Sequence, residues 1–135
     1  MKTLIEHDGR FLLVELGYKH TLWTIPGGGV KKRESFSEAV VRETQEEVGI
    51  FLQDPIEIGE YTNTKEFKKD TVKVFYSKVA SPAFRVDGFE IIRAEWFSRS
   101  NLPHDMVSRF PVVLGMYDKY INKVQQILSQ HAGQY

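Results

Sequence analysis

Apolar residues crowd the start of the chain on both sides of a single break. Lys2–His7 and Arg10–Leu16 flank Asp8-Gly9, a pair that accepts positive φ and so signals a two-residue type I′ hairpin. The second arm carries Phe11-Leu12-Leu13-Val14 with no polar interruption, the pattern of a strand covered on both faces. A polar connection over 17–24 ends in Trp23-Thr24-Ile25-Pro26, where Trp23 reads as packing in preference to a base-stacking platform. Residues 50–52 read as a short strand and 56–62 as a longer one. In 71–79, Val72, Val74 and Tyr76 alternate with Lys73, Phe75 and Ser77, a good strand pattern. The polar run 63–70, with Lys65, Lys68 and Lys69, reads as a hairpin loop, solvated rather than phosphate-contacting. Ser81-Pro82 ends the strand, 84–90 reads as a loop turning at Val86-Asp87-Gly88, and 91–97 holds a last strand.

Two stretches follow a helical period instead. Ser35 with Glu38 three residues on forms a capping box, and Gly49 after Glu46-Glu47-Val48 reads as a C-terminal cap. From Pro111, a suitable first helical residue, Val113, Leu114, Tyr117, Tyr120, Ile121, Val124 and Leu128 recur at helical spacing. That stripe is most simply the core face of a C-terminal helix, with a homodimer contact as the alternative. Strands before, between and after two helices predict an α+β class: a mixed β-sheet with a helix on each face. The 135 residues suit one domain spanning 1–135.

The first helix carries unusual chemistry. At about 100° per residue, Phe36, Ala39 and Val40 point the same way as Glu43, Glu46 and Glu47. An ordinary surface helix separates charge from apolar groups. Acids on the apolar side need a counter-charge or must take up protons. A divalent cation answers that need, and oxygen-only ligands favour a hard ion, Mg²⁺ or Mn²⁺. The plainer alternative is a solvated acidic face with Arg42 as its ion-pair partner. Ahead of the helix, Pro26-Gly27-Gly28-Gly29 has little side-chain bulk, so backbone can approach a ligand closely. Lys31, Lys32 and Arg33 follow, offering cations to phosphate.

Residues 28–50 resemble the box of the Nudix hydrolase family, Gly-x5-Glu-x7-Arg-Glu-U-x-Glu-Glu-x-Gly-U, where U is a bulky aliphatic. Gly28, Glu34, Arg42, Glu43, Glu46, Glu47, Gly49 and Ile50 stand at the required spacings. Thr44 departs from the aliphatic position, and Lys31 and Arg33 stand where many members carry Glu and Gly. The resemblance implies a Nudix-type α/β/α sandwich and a Mg²⁺-dependent hydrolase (Mn²⁺ substituting) that cleaves the diphosphate linkage of a nucleoside diphosphate joined to another moiety. It implies Glu46 and Glu47 as first metal ligands, with Glu43 sharing the metal or accepting a proton from water. Backbone at Gly27 would complete the metal surroundings, and Gly28, Lys31 and Arg33 would face the substrate. Glu34 and Arg42 would pair to fix the loop against the helix. A further metal-binding acid is expected from a loop ahead of a tryptophan; Glu90 is the first choice before Trp96 and Glu95 the second.

Composition sets outer limits. Net charge is zero, which gives no bulk attraction to nucleic acid or membrane. There is no cysteine, hence no disulfide and no thiolate metal site, as suits a cytoplasmic protein. No apolar run approaches the roughly 20 residues of a membrane span, and the start lacks the pattern of a signal peptide. His7, His20, His104 and His131 are scattered and read as surface or loop residues. The expected partner is a small nucleotide. A Nudix fold that senses a nucleotide without cleaving it is the competing class.

Overall fold

The computed structural model describes residues 1–17, 22–65 and 67–132. In chain order the elements are β1 (Lys2–His7), β2 (Arg10–Leu16), β3 (Trp23–Thr24), α1 (Phe36–Val48), β4 (Ile56–Lys65), β5 (Lys68–Lys78), β6 (Ile91–Ser98), a 3-10 turn (Arg99–Asn101) and α2 (Phe110–Ala132). His20 and part of the expected 17–24 connection lie outside the described residues.

The opening hairpin turns on Asp8 and Gly9 with φ of 48° and 75°, both positive as a type I′ turn requires. Its strands stay paired only near the turn, through Glu6↔Phe11 and His7↔Arg10. Farther on they part. β2 takes β3 as its partner through Val14↔Thr24 and Glu15↔Trp23, while β1 bridges to Gly27. The segment running from β3 to Gly27 is thus wedged into the open end of the hairpin. β6 lies antiparallel along the other edge of β2, from Arg10↔Ser98 to Leu16↔Ile91. β1 pairs parallel with β5, and β5 antiparallel with β4, so the sheet is mixed.

Both faces are covered, and this explains the unbroken apolar run in β2. Leu4, Phe11, Leu13, Val74 and Tyr76 face one core with Trp23, Phe110 and Val113. Ile5, Leu12, Val14 and Phe75 face the other with Val40, Val48, Ile50, Leu52 and Ile91. Side chains alternate across a strand, so each sheet face presents its own apolar set, one to α2 and one to α1. Trp23 is packed in the first core, edge-on to Phe97 at 5.1 Å.

Three local expectations change. Residues 50–52 form no strand; Ile50 and Leu52 are buried as irregular chain under α1, because apolar burial does not require a ladder partner. The polar stretch 63–70 is mostly strand: Asn63↔Asp70, Thr64↔Lys69 and Lys65↔Lys68 extend the β4–β5 ribbon, with Phe67 in the turn at φ 67°. Exposed polar residues tolerate a ladder whose backbone bonds are satisfied by the neighbouring strand. The α2 stripe is buried at its start, at Val113, but Leu128 is 63% exposed because the helix outruns the sheet it packs on. No described helix is long and apolar enough to cross a membrane.

Candidate active site

The helix that carries the acids is fixed at both ends by its own sequence. Ser35 Oγ accepts from the Glu38 N–H at 3.1 Å and Glu38 Oε1 accepts from the Ser35 N–H at 3.0 Å. At the other end Gly49, at φ 67°, donates to the Gln45 carbonyl. The face turned inward comprises Ala39, Val40, Thr44, Glu47 and Val48. Phe36 is 37% exposed, with the Lys73 ammonium 4.9 Å from its ring, so it borders this face rather than sharing it with the acids. The three acids divide: Glu47 is 4% exposed, Glu43 is part-buried, and Glu46 lies at the surface.

The wedged loop runs over these acids. The Thr3 N–H donates to the Pro26 carbonyl at 2.8 Å and the Gly28 N–H to the Met1 carbonyl at 3.0 Å. A β-carbon on Gly27 would stand 2.3 Å from the Met1 carbonyl oxygen, and one on Gly28 would stand 2.5 Å from the Glu43 carboxyl carbon. The glycines are therefore needed for close approach, Gly27 to β1 and Gly28 to α1. The Gly27 N–H donates to Glu47 Oε2 at 3.2 Å, joining loop to helix.

Arg42 holds the outer side of the loop. Its Nε and Nη2 donate to the two oxygens of Glu34 at 2.7 and 2.9 Å, its Nη2 also donates to the Gly29 carbonyl at 3.1 Å, and its Nη1 reaches Glu43 at 2.9 Å and Glu46 at 3.3 Å. Glu34 also accepts from the Lys31 N–H at 2.9 Å. The Arg42 bonds, then that N–H, pull the Glu34 carboxyl down to about 2. Arg33 sits at φ 68°, in the left-handed region where a glycine would be unstrained. Lys31 and Arg33 are exposed at the loop rim.

Glu47 is the acid that Arg42 does not reach. Burial pushes its carboxyl up to about 7; the Gly27 N–H opposes this, the Glu43 charge adds to it, Lys2 opposes it and Glu90 adds to it. Glu90 is exposed on the loop before β6, and its backbone carbonyl accepts from the Gly17 N–H at 2.8 Å. Asp87 caps that loop through the Phe89 and Ile91 N–H groups. Glu95 opposes Leu13 in β6, on the α2 face of the sheet. Among the described residues, no three acids or histidines converge at metal-ligand distance, since Glu43 and Glu46 are turned to Arg42. The donor set nevertheless fits a hard divalent cation. A carboxyl pushed toward protonation by burial, with acidic neighbours adding to the push, is the arrangement that such an ion relieves.

A family model described as NUDIX domain matches residues 3–114. This chain belongs to the NUDIX domain family. A Bacillus subtilis protein assigned provisionally as an 8-oxo-dGTP diphosphatase is 36% identical over 86 residues, 64% of this chain and 56% of that protein. The chain therefore spans little more than half the length of that curated relative. Among solved structures, a MutT NUDIX hydrolase from Burkholderia pseudomallei superposes with a TM-score of 0.76 at 25% identity, covering 85% of this chain and 93% of that one. A C. elegans Ap4A hydrolase superposes with a TM-score of 0.75 at 20% identity, covering 90% and 96%, which shows the shared fold.

Within the NUDIX box, Thr44 is 1% exposed and packs beside Val40 and Val48, so its departure from the aliphatic pattern is a matter of core packing. One residue at the site lies outside the box and escapes sequence reasoning. The Lys2 side chain runs along Gly27, where an added β-carbon would lie 2.7 Å from its Cδ, and its charge acts on Glu47. Nothing in the pattern of β1 separates Lys2 from any other strand-end lysine.

Proposed function

We propose that this NUDIX chain is a phosphoric anhydride hydrolase that cleaves the diphosphate linkage of a nucleotide with Mg²⁺, or Mn²⁺ in its place. The observation that carries the reading is Glu47: a buried acid roofed by the Gly27 N–H, with Glu43 and Glu90 acting on its charge. Glu47, Glu46, Glu43 and Glu90, with backbone at Gly27, would hold the ion. When bound, it neutralises phosphate oxygens and acidifies a water. The chain's own part is to orient. The loop over 27–29 brings uncluttered backbone to the phosphates, Glu34 and Arg42 fix that loop to α1, and Lys31 and Arg33 at the rim offer cations to the incoming anion. Glu43 is the candidate to receive the proton of the attacking water as the phosphorus–oxygen bond of the anhydride breaks. The six described strands join one sheet, which supports reading 1–135 as one domain.

A broad nucleotide panel with Mg²⁺ or Mn²⁺, followed by product analysis, tests this. Release of a nucleoside phosphate is expected, and Glu47→Gln should lower turnover by about 100-fold or more while the protein stays folded. No product from any nucleotide, or full turnover in the variant, would sink the assignment. A nucleotide-sensing module is the second reading, favoured by the engagement of Glu43 and Glu46 with Arg42. It predicts a ligand that raises the melting temperature and is recovered uncleaved.

A further inference from the structure

The apolar row of α2 continues past the sheet that buries its start. At about 100° per residue, Tyr117, Tyr120, Ile121, Val124, Ile127 and Leu128 fall on one face about 120° wide. The Tyr117 ring stands 5.2 Å from that of Phe11, and the Tyr120 ring 5.6 Å from that of Tyr76. Soon after Tyr76 the sheet stops, β5 ending at Lys78. Beside that end lies a cavity of about 390 Å³, walled by Ile56 and Tyr76 on the sheet side and by Tyr120, Ile121 and Val124 on the helix. Beyond it the face is bare: Ile127 is 47% exposed and Leu128 63%, with Ile56 at the cavity wall 44% exposed.

Residues 124–130, Val-Gln-Gln-Ile-Leu-Ser-Gln, carry no charge, whereas a solvated helix end is normally laced with charged pairs. A helical stretch of that length is also marginal unless its apolar face is packed. The face left bare here is the one that meets the sheet earlier in α2. Two copies can therefore share it only antiparallel, because a parallel pair would set both sheets in the same space. The antiparallel pair is self-complementary: each copy offers an exposed Leu128 and receives one against Val124, at the mouth of the cavity. The charges agree. With Leu128 level with Val124 of the other copy, Lys123 comes level with Ser129, whereas a parallel pair would oppose Lys123 to itself. We infer that the bare end of α2 makes a two-fold, antiparallel contact with a second copy of this chain. Residues 122–132 span about 16 Å, and a strip of that length is small beside the roughly 1,600 Å² of a standard interface. The dimer is accordingly reversible, with a dissociation constant of about 10–100 µM.

Sedimentation velocity from about 1 to about 500 µM tests it. The sedimentation coefficient should climb with concentration toward that of a dimer. Leu128→Glu, at an exposed position, should weaken association by about tenfold or more while its circular dichroism spectrum stays that of the wild type. Gln126→Glu, on the opposite side of the helix, should leave association unchanged. The chain has no cysteine, so single introduced thiols report how the copies are seated. Val124→Cys and Leu128→Cys proteins, mixed and oxidised where the dimer forms, should give the mixed disulfide ahead of either homodisulfide, since only that pair is brought level. A chain that stays monomeric at about 500 µM overturns the inference, and so does association that survives Leu128→Glu intact. Homodisulfides formed ahead of the mixed one overturn the antiparallel seating. None of these readouts needs a nucleotide, a metal ion or turnover, so the hydrolase reading stands or falls separately.

Discussion

At the scale of single residues, two positions in the loop make opposite demands. Arg33 occupies left-handed backbone at φ 68°, which costs an L-residue about 1 kcal/mol. Arg33→Gly should therefore stabilise the protein by about 0.5–1 kcal/mol in urea denaturation, the gain being trimmed by the added freedom of glycine in the unfolded chain. If the exposed guanidinium also serves the substrate, KM rises in the same variant, so stability and function are read separately. Glu34 shows a pH dependence of definite sign. Its folded carboxyl stands at about 2 against 4.5 for the free group, so folding favours its ionised form. Its contribution is fully present above about pH 4.5 and is lost as pH falls toward 2. Wild type should be more stable than Glu34→Gln at pH 7, with the gap closing on acidification. A gap that is constant from pH 7 to about 2.5 would remove Glu34 from the account.

Among the elements, α1 shows what a helical wheel conveys and what it misses. Ser35, Glu38 and Gly49 set its ends through bonds only a few residues apart, and local bonds of that kind are readable from spacing. Its buried face was less legible. Phe36 stays at the border and Thr44 goes inside, because the direction of the core comes from the sheet and not from the helix. The β4–β5 ribbon teaches the same lesson, since the polarity of 63–70 suited a loop but its partner strand supplied a ladder. β1 holds a further consequence. The Thr3 hydroxyl is fully buried and has no hydrogen-bond partner among the described residues. Thr3→Val should raise stability by about 1 kcal/mol, since it removes an unpaid desolvation while keeping the shape. A loss of stability on thermal or urea unfolding would show that the hydroxyl is satisfied.

For the molecule as a whole, the decisive feature is the wedge. The β1–β2 hairpin opens, the segment from β3 to Gly27 enters, and the loop is thereby held on one side by β1 and on the other by Glu47 of α1. Gly27 is the point where strand and loop backbones meet. Gly27→Ala places a methyl group 2.3 Å from the Met1 carbonyl oxygen, so backbone must shift. The expected cost is roughly 1–3 kcal/mol. Because the same residue donates to Glu47, the rise in melting temperature that the proposed Mg²⁺ site predicts should shrink with it. A Gly27→Ala protein as stable and as metal-responsive as wild type would show that the loop can be moved without disturbing the acid.

The sequence by itself determined what is local or strictly periodic: the Asp8-Gly9 turn, the caps of α1, two-sided burial of β2, and the spaced acids that mark the NUDIX family. That Glu34 and Arg42 pair was implied by the family resemblance, and the structure joins them across the loop. Only the tertiary structure decided which acid is buried. Glu43, Glu46 and Glu47 are equivalent as letters, yet Arg42 takes the first two and the wedged loop covers the third. It alone also brought Lys2, Tyr61 and Arg109 to one cavity, from two strands and the turn ahead of α2, far apart in the chain. The physical reason is common to both. Burial and convergence are properties of the packed surfaces around a residue, and those surfaces are contributed by segments that its neighbours in sequence do not specify.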